Sequence, residues 1–87
     1  MDGMKRQHWS ELTFKVFTDA GEHEFFRFPA PSGHRWYADG IERHKMEFAA
    51  HLRQAFPNRW FRFVKIRPNR YNVLPITEQS GQVISEA

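Results

Sequence analysis

His44, Glu47 and His51 stand three and four residues apart, so on a helix all three side chains leave one side and offer two imidazoles and a carboxylate to a metal ion. A fourth ligand would have to come from elsewhere in the chain, and the spacing is not the His-Glu-x-x-His of zinc hydrolases. Glu47 also lies four residues after Arg43 and four before His51, the spacing of ordinary solvated pairs, so no metal is expected here. His8, His23 and His34 stand in polar or Gly-Pro surroundings, with no sequence-local carboxylate or nucleophile to orient them. Ser10, Ser32, Ser80 and Ser85 lack a nucleophile-elbow context, and Gly33, Gly40 and Gly81 make no phosphate-cradling loop. With no Cys among 87 residues, a thiolate zinc site, an iron–sulfur cluster, a disulfide framework and a cysteine nucleophile are all excluded. A chain this short spends most of its residues on scaffold, which leaves little for a lined pocket of ~300 Å³ or more. The expectation is a non-catalytic protein without a cofactor.

The residues that could bind a partner are set out by charge. Residues 1–50 hold seven Lys or Arg and eight acids, whereas residues 51–70 hold Arg53, Arg59, Arg62, Lys65, Arg67 and Arg70 with no acid, and the remainder holds only Glu78 and Glu86. The modest net charge of +3 therefore hides a basic run of +6. Rings alternate with cations along it: Arg59, Phe61, Phe63, Lys65 and Arg67 fall on one side of an extended segment, Trp60, Arg62, Val64 and Ile66 on the other. With one sheet face covered, Trp60, Val64 and Ile66 are expected to be its core side, leaving Phe61 and Phe63 beside Lys65 and Arg67 on the open face. Arg59, Phe61, Arg62, Phe63, Lys65, Arg67, Arg70 and Tyr71 are the expected binding residues.

Arg59-Trp60-Phe61-Arg62-Phe63-Val64-Lys65-Ile66 resembles the sheet octapeptide of RNA-recognition-motif domains at its basic first position, its two outward aromatics and the following Val. It departs from that motif where Trp60 and Arg62 replace Gly and a small residue, and where Ile66 replaces the last aromatic. The resemblance is one of local surface chemistry and implies base stacking on Phe61 and Phe63, with Arg and Lys neutralising DNA or RNA phosphates. Arg, Trp, Tyr and Phe are equally the residues enriched at protein interfaces. A net charge of +3 is low for a dedicated nucleic-acid binder, so the favoured expectation is a protein-binding module or inhibitor, of the kind phages and mobile elements encode, that docks on a larger protein. Nucleic-acid binding is the alternative. A monomer or weak homodimer is expected in either case.

These residues need a scaffold, and the chain has room for one domain. Nine Phe, three Trp and two Tyr imply a core built from rings. Leu12, Phe14 and Val16 alternate with Thr13, Lys15 and Phe17 in a first strand over 11–18. Gly21 serves the turn into a returning strand over 23–28. Asp39 and Glu42 form a capping box for a helix over 40–56, with Ile41, Phe48, Leu52, Phe56 and the Lys45 stem on one face and Pro57 as its stop. Residues 59–67 make a third strand, Pro68-Asn69-Arg70 a turn, and residues 71–76 a fourth, edge strand that tolerates Pro75. The Arg35-Trp36-Tyr37 stretch could add a short extended piece.

The expected fold is a single two-layer α+β domain over 11–76, strand-strand-helix-strand-strand, one helix on a mostly antiparallel sheet. That order resembles the β-grasp arrangement of ubiquitin-like and related small domains. Residues 1–10 are expected to be a flexible segment and 77–87 a flexible polar tail. Phe25-Phe26-Arg27-Phe28 repeats the ring-Phe-Arg-Phe pattern of Trp60-Phe61-Arg62-Phe63 at an offset of 35, through duplication or chance. No apolar stretch has signal-peptide or membrane-span length, so a cytoplasmic protein without membrane contact is expected.

Overall fold

The period-two pattern of residues 11–17 gives an extended segment with one apolar side, and two such segments paired side by side form the centre of a sheet. The computed structural model describes residues 6–76. Its elements in chain order are β1 (His8–Trp9), β2 (Glu11–Phe17), β3 (His23–Pro29), β4 (Trp36–Tyr37), α1 (Ala38–Ala55), β5 (Trp60–Arg67) and β6 (Arg70–Ile76). Four strands make one sheet in the order β3-β2-β6-β5, with β2 and β6 parallel at its centre and antiparallel hairpins on both sides. One helix packs on it, so the expected β-grasp-like α+β arrangement is the one observed.

Leu12, Phe14, Ile41, Leu52, Tyr71 and Val73 form the buried core between α1 and the two central strands. Phe14 is its hub: its ring centre lies 4.6 Å from that of Phe48, 5.6 Å from Phe63, 5.7 Å from Phe28 and 5.9 Å from Tyr71. The Phe48 pair is tilted and the other three are edge-to-face, and aromatic pairs of this kind add about 0.5–1.5 kcal/mol each beyond the area they bury. An aromatic core thus supplies what few aliphatic residues could.

The strand after the second turn is central and not an edge, contrary to expectation. Pro75 is compatible with that place because the parallel ladder to β2 ends at Val73, so the missing N–H falls beyond it. The helix also starts earlier than the capping box predicts. Tyr37 occupies the N-cap without a side-chain bond, because its backbone is already held in β4, paired with β1. Asp39 turns to its neighbour instead, its Oδ1 accepting from the Gly40 N–H at 2.8 Å and from Arg6 at 3.0 Å. The Gly40 N–H and the Arg6 charge hold this carboxyl below its ordinary range. Glu42 reaches Lys45 at 3.4 Å.

Residues 6–10 belong to the fold instead of preceding it as a flexible segment. His8 and Trp9 pair with Tyr37 and Trp36, and Trp9 packs against the core. The expected tail over 77–87 lies outside the described residues. At the first hairpin Gly21 takes φ +88°, and the Thr18 hydroxyl accepts from the N–H groups of Ala20 and Glu22, each at 3.2 Å.

Candidate binding face of the sheet

Which side of β5 meets the helix is settled by bulk. Phe61 and Phe63 pack against the core, Phe61 beside Phe56 and Phe63 beside Phe14, Phe48 and Tyr71. The expectation that both lie on the open face is therefore corrected. Two phenyl rings bury more apolar area than Val64 with Ile66, and both pack against the six-residue core. Ile66 is half exposed, at a point where the register of β5 on β6 shifts between Lys65 and Arg67. Trp60, 40% exposed, has the Arg53 guanidinium 4.8 Å over its ring.

The remaining expected residues are divided between the two sides of the sheet. Tyr71 is buried in the core, where burial first and the Glu42 carboxylate second push its phenol above the ordinary value of 10.0. Lys65 pairs with Tyr71 in register and lines a cleft of about 250 Å³ on the helix side, together with Trp9, Ile41 and Glu42. Arg59 is ion-paired with Asp19. Arg67 is exposed and, past the register shift, lies opposite Arg70. Arg62, Arg67 and Arg70 share the face away from the helix, Arg67 as the cross-strand partner of Arg70.

That face holds residues the basic run does not contain. Strand alternation places Thr13, Lys15 and Phe17 of β2, His23, Phe25 and Arg27 of β3, and Arg70, Asn72 and Leu74 of β6 opposite the buried Leu12, Phe14, Tyr71 and Val73. One row across the sheet reads Arg27, Thr13, Arg70, and the next Phe25, Lys15, Asn72, Val64. Thr13 is short, so the two Arg side chains on either side of it reach over the next row. Phe25, 38% exposed, has Arg27 at 5.1 Å, Lys15 at 5.5 Å and Arg70 at 5.9 Å from its ring centre. It stands edge-to-face with the His23 ring, the two ring centres 5.3 Å apart. Arg70 Nε is buried without a hydrogen-bond partner among the described residues.

The face thus has two halves. Lys15, Arg27 and Arg70 gather round one ring on the β3 side, while Val64, Leu74 and Ile76 give the β5 side an aliphatic surface flanked by Arg62. Glu11, at the end of β2, is the acid that alternation adds to this side among the described residues. Sequence reasoning missed Lys15, Phe25 and Arg27. The signal was present in the repeated ring-Phe-Arg-Phe pattern, since the two copies sit on the two edge strands with equal parity. In both, the Phe residues (Phe26 and Phe28, Phe61 and Phe63) pack inward, which puts Arg27 and Arg62 on the open face.

The helical trio is also resolved. His44 lies half-buried among Phe28, Trp36 and Phe14, its Nδ1 3.8 Å from Glu47, whereas His51 is exposed. Its inward half is a packing element and not a solvated surface group, because Trp36 and Phe28 close over it. Among the described residues no three His, Asp or Glu side chains are grouped to hold a metal. A second cleft, of about 170 Å³, lies between Val16, Phe17, Phe56, Phe61 and Pro75 with the Arg59–Asp19 pair beside it. Among the described residues no helix is long and apolar enough to cross a membrane. The chain matches no protein-family model, and neither a curated protein nor a solved structure shows significant similarity to it.

Proposed function

We propose that this chain is a small, non-catalytic protein-binding module that docks the open face of its sheet on an acidic surface of a larger protein. The observation that carries this reading is the cluster of Lys15, Arg27 and Arg70 round the exposed Phe25, set beside the aliphatic Val64 and Leu74. Three like charges on one ring repel one another, and a carboxylate seated among them relieves that repulsion. A ring with Arg neighbours beside an apolar patch is also the composition of interface hot spots.

Nucleic acid is the less suited partner, because Phe61 and Phe63, the two rings that would stack bases, pack against the core, and the aliphatic half has nothing to offer a phosphate backbone. Both clefts are smaller than the ~300 Å³ of ordinary ligand pockets, which fits a binding role. The absence of Cys fits a cytoplasmic setting, and the module is proposed to act as a monomer or weak homodimer.

The test compares the wild-type chain with the Lys15→Glu, Leu74→Asp double variant in a pull-down from the native host, alongside anisotropy titrations on single- and double-stranded DNA and RNA. The expected result is a partner protein retained by wild type and lost by the variant. Recovery unchanged by the variant overturns the face. Nucleic-acid affinity at ~50 mM salt that falls steeply as salt rises, and is lost in the variant, overturns the class of partner.

A further inference from the structure

We infer that the outer edge of β3 takes an extended acidic peptide segment of the partner as a fifth strand, with the carboxylates of that segment over Lys15, Arg27 and Arg70. This inference rests on the open-face reading and names how the partner is held there.

The backbone sets it up. Ala30 N donates to Ser10 O at 2.8 Å and Thr18 N to Glu22 O at 2.8 Å, which fixes the phase of the β2–β3 ladder: the even residues of β3 bond inward to β2. Thr13 N donates at 3.0 Å to Asn69 O on the other side of β2, as that phase requires. The N–H and C=O groups of His23, Phe25 and Arg27 therefore point away from the sheet, and none has a backbone partner among the described residues.

The two edges differ in how they are guarded. On β5 the register shift between Lys65 and Arg67 breaks the edge, and Trp60 with Arg53 shields its start. On β3 the pairing to β2 runs unbroken from His23 to Pro29, and proline appears only at its last residue. An unguarded edge of this length is a template for another strand.

Charge selects the occupant. A strand laid along β3 places every second side chain on the open face, level with Phe25 and Arg27 and within reach of Lys15 and Arg70. Acidic residues at those alternate positions complement the cluster. A second copy of this chain does not, because antiparallel pairing about β3 brings two such cation clusters toward each other.

The experiment uses the full chain and three fluorescent probe peptides of eight residues: one alternating Glu with Val, one alternating Lys with Val, and the Glu peptide N-methylated at alternate amides. Binding is read by anisotropy, and amide hydrogen exchange by NMR locates it. The Glu peptide is expected to bind, to slow exchange at His23, Phe25 and Arg27, and to lose at least about tenfold in affinity on N-methylation or in Lys15→Glu. The Lys peptide is expected not to bind.

Glu-peptide binding that shifts Lys15, Arg70 and Leu74 without protecting the three edge amides, and that N-methylation leaves intact, overturns the added strand while leaving the open face in place. Absence of Glu-peptide binding overturns the inference as well, and the pull-down above then decides the face on its own. Protection of the same amides by self-association, rising with protein concentration and without peptide, assigns the edge to a second copy and also overturns it.

Discussion

The Phe63 ring lies 5.6 Å from Phe14 and 6.3 Å from both Phe48 and Tyr71, so truncating it removes ring contacts on three sides. Phe63→Ala is expected to cost about 3 kcal/mol, the lower end for an aromatic truncated in a core, as the residue is only partly buried. Phe25→Ala, made among solvated cations on the other face, is expected to cost under about 1 kcal/mol. Urea unfolding of the two variants separates the faces, and equal costs would contradict the side assignment of β5.

Tyr71 supplies a pH test at the same scale. Burial and the Glu42 carboxylate both disfavour its phenolate in the fold, raising its pKa above 10.0. Its contribution to stability is therefore fully present below about pH 10, where the unfolded phenol ionises, and is lost as pH rises through the higher folded value. Phenolate titration by ultraviolet absorbance in a Tyr37→Phe background should show the delayed ionisation. Glu42→Gln should remove only part of it, since burial is the larger cause.

At the scale of elements, the two-residue strands β1 and β4 test where the domain begins. Trp9 packs on the core from β1, and Trp36 from β4 donates its indole N–H to Phe28 O at 2.7 Å. Trp9→Ala is expected to lower stability by about 2 kcal/mol, from the apolar area returned to water. A thermal melt unchanged by that substitution would restore residues 6–10 to the status of a dispensable leader.

Arg35-Trp36-Tyr37 reads as a short extended piece, as β4 is, but β1 and its pairing were not legible in advance, because two-residue strands have no periodicity and the partners are nearly thirty residues apart. The long elements were legible, since β2, β3, α1, β5 and β6 each carry a period or a stop signal: alternation in Leu12-Thr13-Phe14, Gly21 in the first turn, Pro57 after the helix. What local pattern could not decide was β5, where both sides hold apolar residues and cations. There the choice rests on volume across the whole core, which no single strand records. The central place of β6 was hidden for a similar reason: parallel pairing with β2 depends on the crossover of the helix.

At the scale of the whole molecule, the basic run of the sequence is not a basic patch in space. Of its six cations, Arg53 lies over Trp60, Arg59 is paired with Asp19 and Lys65 lines the helix-side cleft. Arg62, Arg67 and Arg70 reach the open face, and Lys15 and Arg27 join them from a stretch of the chain that carries a net negative charge. Electrostatic recognition follows position on the fold and not the tally along the chain, so charge removals with identical formal effect should divide sharply.

Lys15→Ala with Arg27→Ala and Arg53→Ala with Lys65→Ala each subtract two cations. The first pair is expected to lower affinity for poly-glutamate by about tenfold, at roughly 0.7 kcal/mol for each rim charge, and to flatten its dependence on ionic strength. The second pair is expected to change it by less than about twofold. Binding titrations across a salt series measure both quantities. If the two double variants weaken binding equally, net charge and not the open face governs the attraction, and the sheet surface built round Phe25 loses its place as the recognition element.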